Sequence, residues 1–128
     1  MSIARILVVE DNDKNLKLVR DVLLFAGYEV VEARTGEQGV ALAEQTLPDL
    51  VLMDLQLPGI DGTEALRRLR ENPATCAVPV VAVTAFAMKE DRERTRRAGF
   101  DGYVAKPLSV RALPEQVRSY LAGGGLGT

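Results

Sequence analysis

Histidine does not occur anywhere in this chain of 128 residues. That excludes a Ser-His-Asp triad, a histidine general base and histidine metal ligands. The chemistry that remains rests on carboxylates, lysine, hydroxyls and the backbone. Cysteine occurs once, as Cys76, so no internal disulfide can form, which fits a reducing compartment. With no histidine to activate it, Cys76 reads as an inert small residue. No apolar run approaches the ~20 residues of a membrane span. The opening segment, MSIARILVVED, ends its short apolar run at two acids and offers no small-residue cleavage site, so no signal peptide is expected. A large charge imbalance is missing too. Sixteen Lys and Arg against 18 Asp and Glu leave a net charge of −2, which gives no support to a nucleic-acid or membrane-surface role. The expectation is a cytoplasmic protein with neither nucleic acid nor membrane among its partners.

What is present is alternation. Apolar, β-branched runs occur at 6–9, 28–33, 50–53, 80–83 and 102–105. Several are apolar almost throughout, as expected of parallel strands covered on both faces. Helical patterns lie between them. Leu16, Val19, Leu23 and Ala26 recur at one-turn spacing, and Gly27 follows as a stop. Thr35 and Gln38 form a capping box for a helix over 35–46. Residues 63–70 place Ala65, Leu66 and Leu69 on one side. The run MKEDRERTRRAG reads as a charged, largely solvated helix ending at Gly99. A last helix, capped by Ser109, runs to about Ala122. Pro114 lies one turn inside it and would break a backbone bond unless the regular helix begins near it. Strand and helix thus alternate five times. This predicts one α/β domain over 1–122, a doubly wound (βα)5 fold with a five-stranded parallel sheet and helices on both faces. Residues 123–128, GGGLGT, have no core-forming pattern and read as a flexible tail or linker stub.

The segment PDLVLMDLQLPGIDG raises a question of its own. Its apolar residues 50–53 read as buried strand, and the next residue is Asp54. A buried, unpaired carboxylate costs several kcal/mol, so Asp54 needs a partner or a task. Candidates stand after the other strands: Glu10 and Asp11 after ILVV, Thr84 after VVAV, Lys106 and Pro107 after YVA. In an open α/β sheet the carboxyl ends of the strands share one edge, where ligands bind. Singly, each residue could be a cap, a turn residue or a solvated lysine. Together at one edge they suggest a site. Three neighbouring carboxylates repel, and one takes up a proton unless a cation intervenes. Mg²⁺ suits such oxygen ligands and leaves room for a phosphoryl oxygen. Asp54 could then attack phosphorus, with Lys106 neutralising charge and Thr84 donating a hydrogen bond.

The segments ILVVEDN, LVLMDLQLPGIDG, VPVVAVTA and YVAKP resemble the motifs of response-regulator receiver domains of two-component signalling. The resemblance covers residues 3–122. Within the family, VEDNDKNLKL and VPVVAVTAFAMKEDRERTRRAGF are most similar to stand-alone regulators of the DivK and CheY type, and receivers attached to hybrid histidine kinases also carry such segments. The resemblance implies a flavodoxin-like sheet of order 2-1-3-4-5 and a cis peptide between Lys106 and Pro107. It implies Asp54 as phosphoacceptor, with Thr84 and Lys106 contacting the phosphoryl group. Mg²⁺, or Mn²⁺ in its place, would be held by Asp11, Asp54, the backbone carbonyl of Gln56, and Glu10 directly or through water. Tyr103 matches the aromatic switch. Gln56 and Phe86 match positions that tune hydrolysis of the acyl phosphate. Glu10 stands where many members have a second Asp, and Pro114 is a departure.

The function so implied is a phosphoacceptor response regulator in a two-component system or phosphorelay. It would catalyse only its own phosphorylation and dephosphorylation, and so would not be an enzyme acting on a separate substrate. The donor would be a separate histidine kinase or histidine phosphotransfer protein, since this chain has no histidine. It is expected to dock near Asn12, Asn15, Leu16 and Pro107. A downstream protein target would read the surface formed by the fourth helix, fifth strand and fifth helix, reshaped as Thr84 moves inward and Tyr103 follows. One alternative is the excised receiver domain of a hybrid histidine kinase. Another is a Mg²⁺-dependent phosphohydrolase using an aspartyl-phosphate, which needs an Asp where this chain has Gln56. A flavin-binding reading needs a hydroxyl- and glycine-rich loop where this chain has VEDNDKN.

Overall fold

The computed structural model describes residues 3–85 and 88–123. Five strands, β1 (Arg5–Val9), β2 (Glu29–Ala33), β3 (Leu50–Asp54), β4 (Val80–Thr84) and β5 (Gly102–Ala105), alternate with five helices. The helices are α1 (Asp13–Phe25), α2 (Gly36–Thr46), α3 (Gly62–Glu71), α4 (Lys89–Ala98) and α5 (Leu113–Leu121). Neighbouring strands pair in parallel in the order β2-β1-β3-β4-β5. Every residue of the interior strands β3 and β4 is buried, which accounts for their nearly unbroken apolar sequence. Among the described residues, no helix is long and apolar enough to cross a membrane.

The pleat sends alternate residues into two cores. On one face Ile6, Val8, Leu50, Leu52, Val81 and Val104 pack with Leu16, Val19 and Leu23 of α1 and with Leu113 and Val117 of α5. On the other, Leu7, Val9, Val51, Met53 and Ala82 pack with Ala43 of α2, with Ala65, Leu66 and Leu69 of α3, and with Phe100. Leu16 is 1% exposed, so the docking role expected for it is incorrect. It belongs to the same apolar stripe as Val19 and Leu23, and that stripe faces the sheet. Ala26 does not belong to the stripe: it is exposed and caps α1 just past Phe25.

Helix ends follow local chemistry. At the end of α1, Gly27 (φ 97°) allows its own N–H to reach the Leu24 carbonyl at 3.0 Å and the Tyr28 N–H to reach that of Leu23 at 3.0 Å. Gly99 (φ 104°) closes α4 in the same manner, with Phe100 N–H bonded to the Thr95 carbonyl at 3.3 Å. Thr35 caps α2 by accepting from Gln38 N–H at 3.0 Å. The Gln38 side chain bonds one residue further back than a capping box would have it, to Arg34 N–H at 2.8 Å. The last helix starts later than the Ser109 cap implied. Ser109 Oγ accepts from Ala112 N–H at 3.1 Å and so stabilises a preceding turn. Regular helix then begins at Leu113, which leaves Pro114 in the first turn, where its missing N–H costs nothing. Of the expected tail at 123–128, only Gly123 is among the described residues.

The burial of Leu16 yields a direct test. Leu16→Glu places a charge in the core and should destabilise the fold by about 3 kcal/mol or more. A urea melt within about 1 kcal/mol of wild type would mean that this stripe does not face the sheet.

Candidate functional site

The parallel register brings the carboxyl ends of β1, β3, β4 and β5 to one edge. Glu10 extends the β1 pairing by donating its N–H to the Ala33 carbonyl at 2.9 Å, and this keeps it 3% exposed. Asp11, one residue on, is exposed. Asp54 is the last residue of β3 and is also 3% exposed. Its Oδ1 accepts from the Gln56 N–H at 2.9 Å, and its Oδ2 accepts from Lys106 Nζ at 2.9 Å. The same ammonium lies 3.2 Å from Glu10 Oε1, while Glu10 Oε2 accepts from Asn12 N–H at 3.2 Å. One carboxylate oxygen from each of Glu10, Asp11 and Asp54 lies within 4.8 Å of the others.

The loop after Asp54 explains the rest of PGIDG. Gly59 adopts φ 74°, a left-handed conformation that favours glycine. A Cβ at Gly62 would sit 2.5 Å from the Asp54 carbonyl oxygen, so the start of α3 can close on the site only without a side chain there. Asp61 then caps α3, accepting from Glu64 N–H at 2.9 Å.

Electrostatics at this edge are strained in one direction. Burial, reinforced by the hydrogen bond and charge of Asp54, pushes Glu10 up to about 7 against partial relief from Asn12 and Lys106. For Lys106 burial works against the ammonium, yet the hydrogen bond and charge of Asp54, and then Glu10, outweigh it and raise its pKa. One lysine therefore contacts two of the three acids, and Glu10 holds on to a proton near neutrality. An all-oxygen donor set that is short of positive charge suits a hard divalent cation, which Glu10, Asp11 and Asp54 could hold.

Comparison with known proteins agrees with this geometry. Residues 6–118 match the model of the response regulator receiver domain. The chain belongs to the response-regulator receiver family. It is 45% identical over 116 residues to the polar-differentiation response regulator DivK of Brucella ovis, covering 91% of this chain and 94% of that protein. A putative response regulator from Chloroflexus aurantiacus superposes with a TM-score of 0.88 at 34% identity, covering 94% of this chain and 99% of that one. The receiver domain of the sensor histidine kinase PA1611 from Pseudomonas aeruginosa superposes with a TM-score of 0.87 at 35% identity, covering 95% of this chain and 100% of that one. That structure has a magnesium ion coordinated in its active-site cleft.

The other residues anticipated for this receiver fall at different distances from the acids. Thr84 ends β4 at the same edge and is 3% exposed, and its carbonyl accepts from Lys106 N–H at 2.8 Å. Gln56 is exposed on the loop beside Asp54. The Lys106–Pro107 peptide is cis, as the resemblance implied. Tyr103 stands away from the acids, half-buried on β5, and pairs in register with Ala82, two residues before Thr84 on β4. Phe86 lies outside the described residues. One neighbour of Tyr103 was not foreseen. The guanidinium of Arg92 on α4 lies 4.9 Å from the centre of the Tyr103 ring. Arg92 is one of several basic residues in a charged helix, and only the packing of α4 on β5 distinguishes it.

The raised Glu10 pKa has a consequence for stability without added metal. A protonated Glu10 stabilises the fold fully below about its unfolded value of 4.5, and that contribution is lost as pH rises through about 7. In EDTA, the stability of Glu10→Gln relative to wild type should therefore rise between about pH 5 and pH 8, by on the order of 3 kcal/mol. Parallel pH profiles for the two proteins would remove Glu10 titration from the account.

Proposed function

We propose that this receiver accepts a phosphoryl group on Asp54 from a phosphohistidine donor, and that the modified site alters the surface formed by α4, β5 and α5. The observation that carries the proposal is the buried Asp54 carboxylate, oriented by Lys106 and the Gln56 N–H among two further acids. An Asp54 carboxylate oxygen forms a bond to phosphorus as the phosphorus–nitrogen bond to the donor imidazole breaks. The bonding pair returns to that nitrogen, which takes up a proton. Lys106, already 2.9 Å from Oδ2, moves its charge onto the phosphoryl oxygens, and the Thr84 hydroxyl donates to another. Glu10, Asp11, Asp54 and the Gln56 carbonyl would hold Mg²⁺, or Mn²⁺, which when bound neutralises negative charge on the acids and on the transferring group. Water later attacks the acyl phosphate, and Gln56 and Phe86 are proposed to set its access. The chain turns over no separate substrate in this scheme.

The route to the output face is supported by register. Tyr103 pairs with Ala82, and Thr84 lies on the same face of β4 two residues further along, so an inward shift of Thr84 frees space next to Tyr103. The donor, a histidine kinase or histidine phosphotransfer protein, is proposed to dock on exposed Asn12, half-buried Asn15 and exposed Pro107. Likeness to a receiver from a sensor histidine kinase also favours a second reading, in which this chain is the receiver part of a hybrid kinase with the same chemistry.

Two measurements test the proposal. With acetyl phosphate and Mg²⁺, intact mass should increase by one phosphoryl group, and Asp54→Asn or EDTA should abolish the increase. Full labelling of Asp54→Asn would move the acceptor elsewhere. Separately, Asn15→Arg should slow transfer from a phosphohistidine protein by about tenfold or more while leaving labelling by acetyl phosphate intact. Equal losses by both routes would place the defect in the site itself rather than in docking.

A further inference from the structure

β5 lies at one edge of the sheet and pairs with β4. It is four residues long and begins with a glycine, so its position depends on what packs around it. Alternate residues face opposite ways. Val104 enters the core shared with α1 and α5, and Tyr103 packs against the core shared with α2 and α3. Tyr103 is held by two contacts from different helices. Its ring lies 4.9 Å from the Arg92 guanidinium of α4. Its carbonyl accepts a hydrogen bond at 3.2 Å from the hydroxyl of Tyr120, near the end of α5.

Gly102 makes the second contact possible. A Cβ there would collide with the Tyr120 ring and stand 2.6 Å from its hydroxyl oxygen. The ring therefore fills the space of the missing side chain, and α5 carries a donor to the backbone of the next residue. Tyr120 is half-buried, and burial raises its pKa, so the hydroxyl is protonated and can donate at neutral pH. Packing accounts for the ring but not for the hydroxyl, because Phe would fill the same space with no polar group to satisfy. At 3.2 Å the bond is already longer than is usual between two oxygens. A small movement of the Tyr103 peptide away from α5 would end it.

We infer that Tyr120 is a positioning residue: its hydroxyl holds the Tyr103 peptide in its resting place from the α5 side of β5, and so opposes the movement of Tyr103 that follows phosphorylation. The inference rests on the reading of Thr84 and Tyr103 as the switch. Tyr103 packs on the same side of the sheet as Ala82, and Thr84 lies on that face of β4 as well. A Tyr103 ring that follows Thr84 on that side draws its carbonyl away from α5, and the bond to Tyr120 is lost. The bond then belongs to the resting state alone. Removing it favours the switched state, and by linkage strengthens, by the same factor, whatever binds at Asp54 and favours that state.

The test uses the full chain, labelled with ¹³C and ¹⁵N, and the variant Tyr120→Phe, which keeps the ring. The probe is BeF₃⁻ with Mg²⁺, a mimic of a phosphoryl group on Asp54. Tyr120→Phe should bind it about three- to tenfold more tightly than wild type, the span that one hydrogen bond supplies. Without metal or probe, the Tyr103 carbonyl and the amides of 82–84 and 104–105 should shift part of the way toward their positions in the probe-bound wild type. Gly102→Ala, which displaces the Tyr120 hydroxyl, should tighten binding similarly, and the double variant should bind no more tightly than either single one. Val117→Ala, which leaves a cavity where α5 meets the sheet, should lower the melting temperature without tightening binding. Unchanged or weaker binding by Tyr120→Phe would overturn the inference. So would full additivity in the double variant, or equal tightening by Val117→Ala, which would reduce the effect to looser packing. Thermal melts of each variant show that it is folded. If wild type neither binds BeF₃⁻ nor labels at Asp54, the phosphoacceptor reading falls, and the resting shifts in Tyr120→Phe decide by themselves: spread to 82–84 they keep the hydroxyl as a restraint on Tyr103, and confined to 102–104 they remove it. If wild type binds and labels while Tyr120→Phe matches it, the inference falls alone.

Discussion

The Lys106 ammonium stands 2.9 Å from Asp54 and 3.2 Å from Glu10, and each of those carboxylates is only 3% exposed. Two buried acids in such proximity repel each other and lose hydration, so neither would be tolerated without a cation close by. Lysine supplies a single charge on a flexible stem, which can lie between the two carboxylates. It is one positive charge among three carboxylates, and burial together with Asp54 still pushes the Glu10 pKa up. That residual deficit of positive charge is the physical basis for a cation seat. It also makes Asp54 something more than a residue at the end of a strand.

The sheet exists, in functional terms, to hold these charges in place. Glu10 depends on one further backbone bond past β1, Asp54 on the last position of β3, and Lys106 on the residue after β5. The two apolar cores fix the strands from both faces and so fix the spacing of the charges at their ends. The absence of a side chain at Gly62 lets α3 close against the Asp54 carbonyl, which keeps the loop tight around Asp54. Rigid strands below and polar loops above suit a site whose chemistry depends on positioning more than on strong acids or bases.

Two surfaces meet at this edge and have different chemical characters. The start of α1, with Asn12 and Asn15, is polar, and the Asn12 N–H bonds Glu10 at 3.2 Å. On the β5 side of α4, Arg92 covers the Tyr103 ring, and Tyr103 pairs in register with Ala82, two residues before Thr84.

Much of this was readable from sequence because the governing signals are local. Unbroken apolar runs identified parallel strands, one-turn periodicity identified the helices, and the recurrence of Glu10, Asp11, Asp54, Thr84 and Lys106 after strands anticipated their meeting at one edge. Pairing decided the remainder. Whether Glu10 or Asp11 is buried depends on the single hydrogen bond to Ala33, which local sequence does not encode. Gln38 reaches Arg34 rather than Thr35, and Ser109 caps a turn rather than α5, because a side chain bonds whichever N–H the backbone path presents. Leu16 belonged to a visible apolar stripe, yet its place in the core, unavailable to a partner, became definite only when α1 lay on the sheet. Arg92 illustrates the limit most clearly. Composition alone determined that α4 would be charged and solvated, whereas its neighbour Tyr103 comes from a strand made later in the chain. A contact between such elements is set by the packing angle of helix on sheet, a property of the assembled fold and of no segment within it.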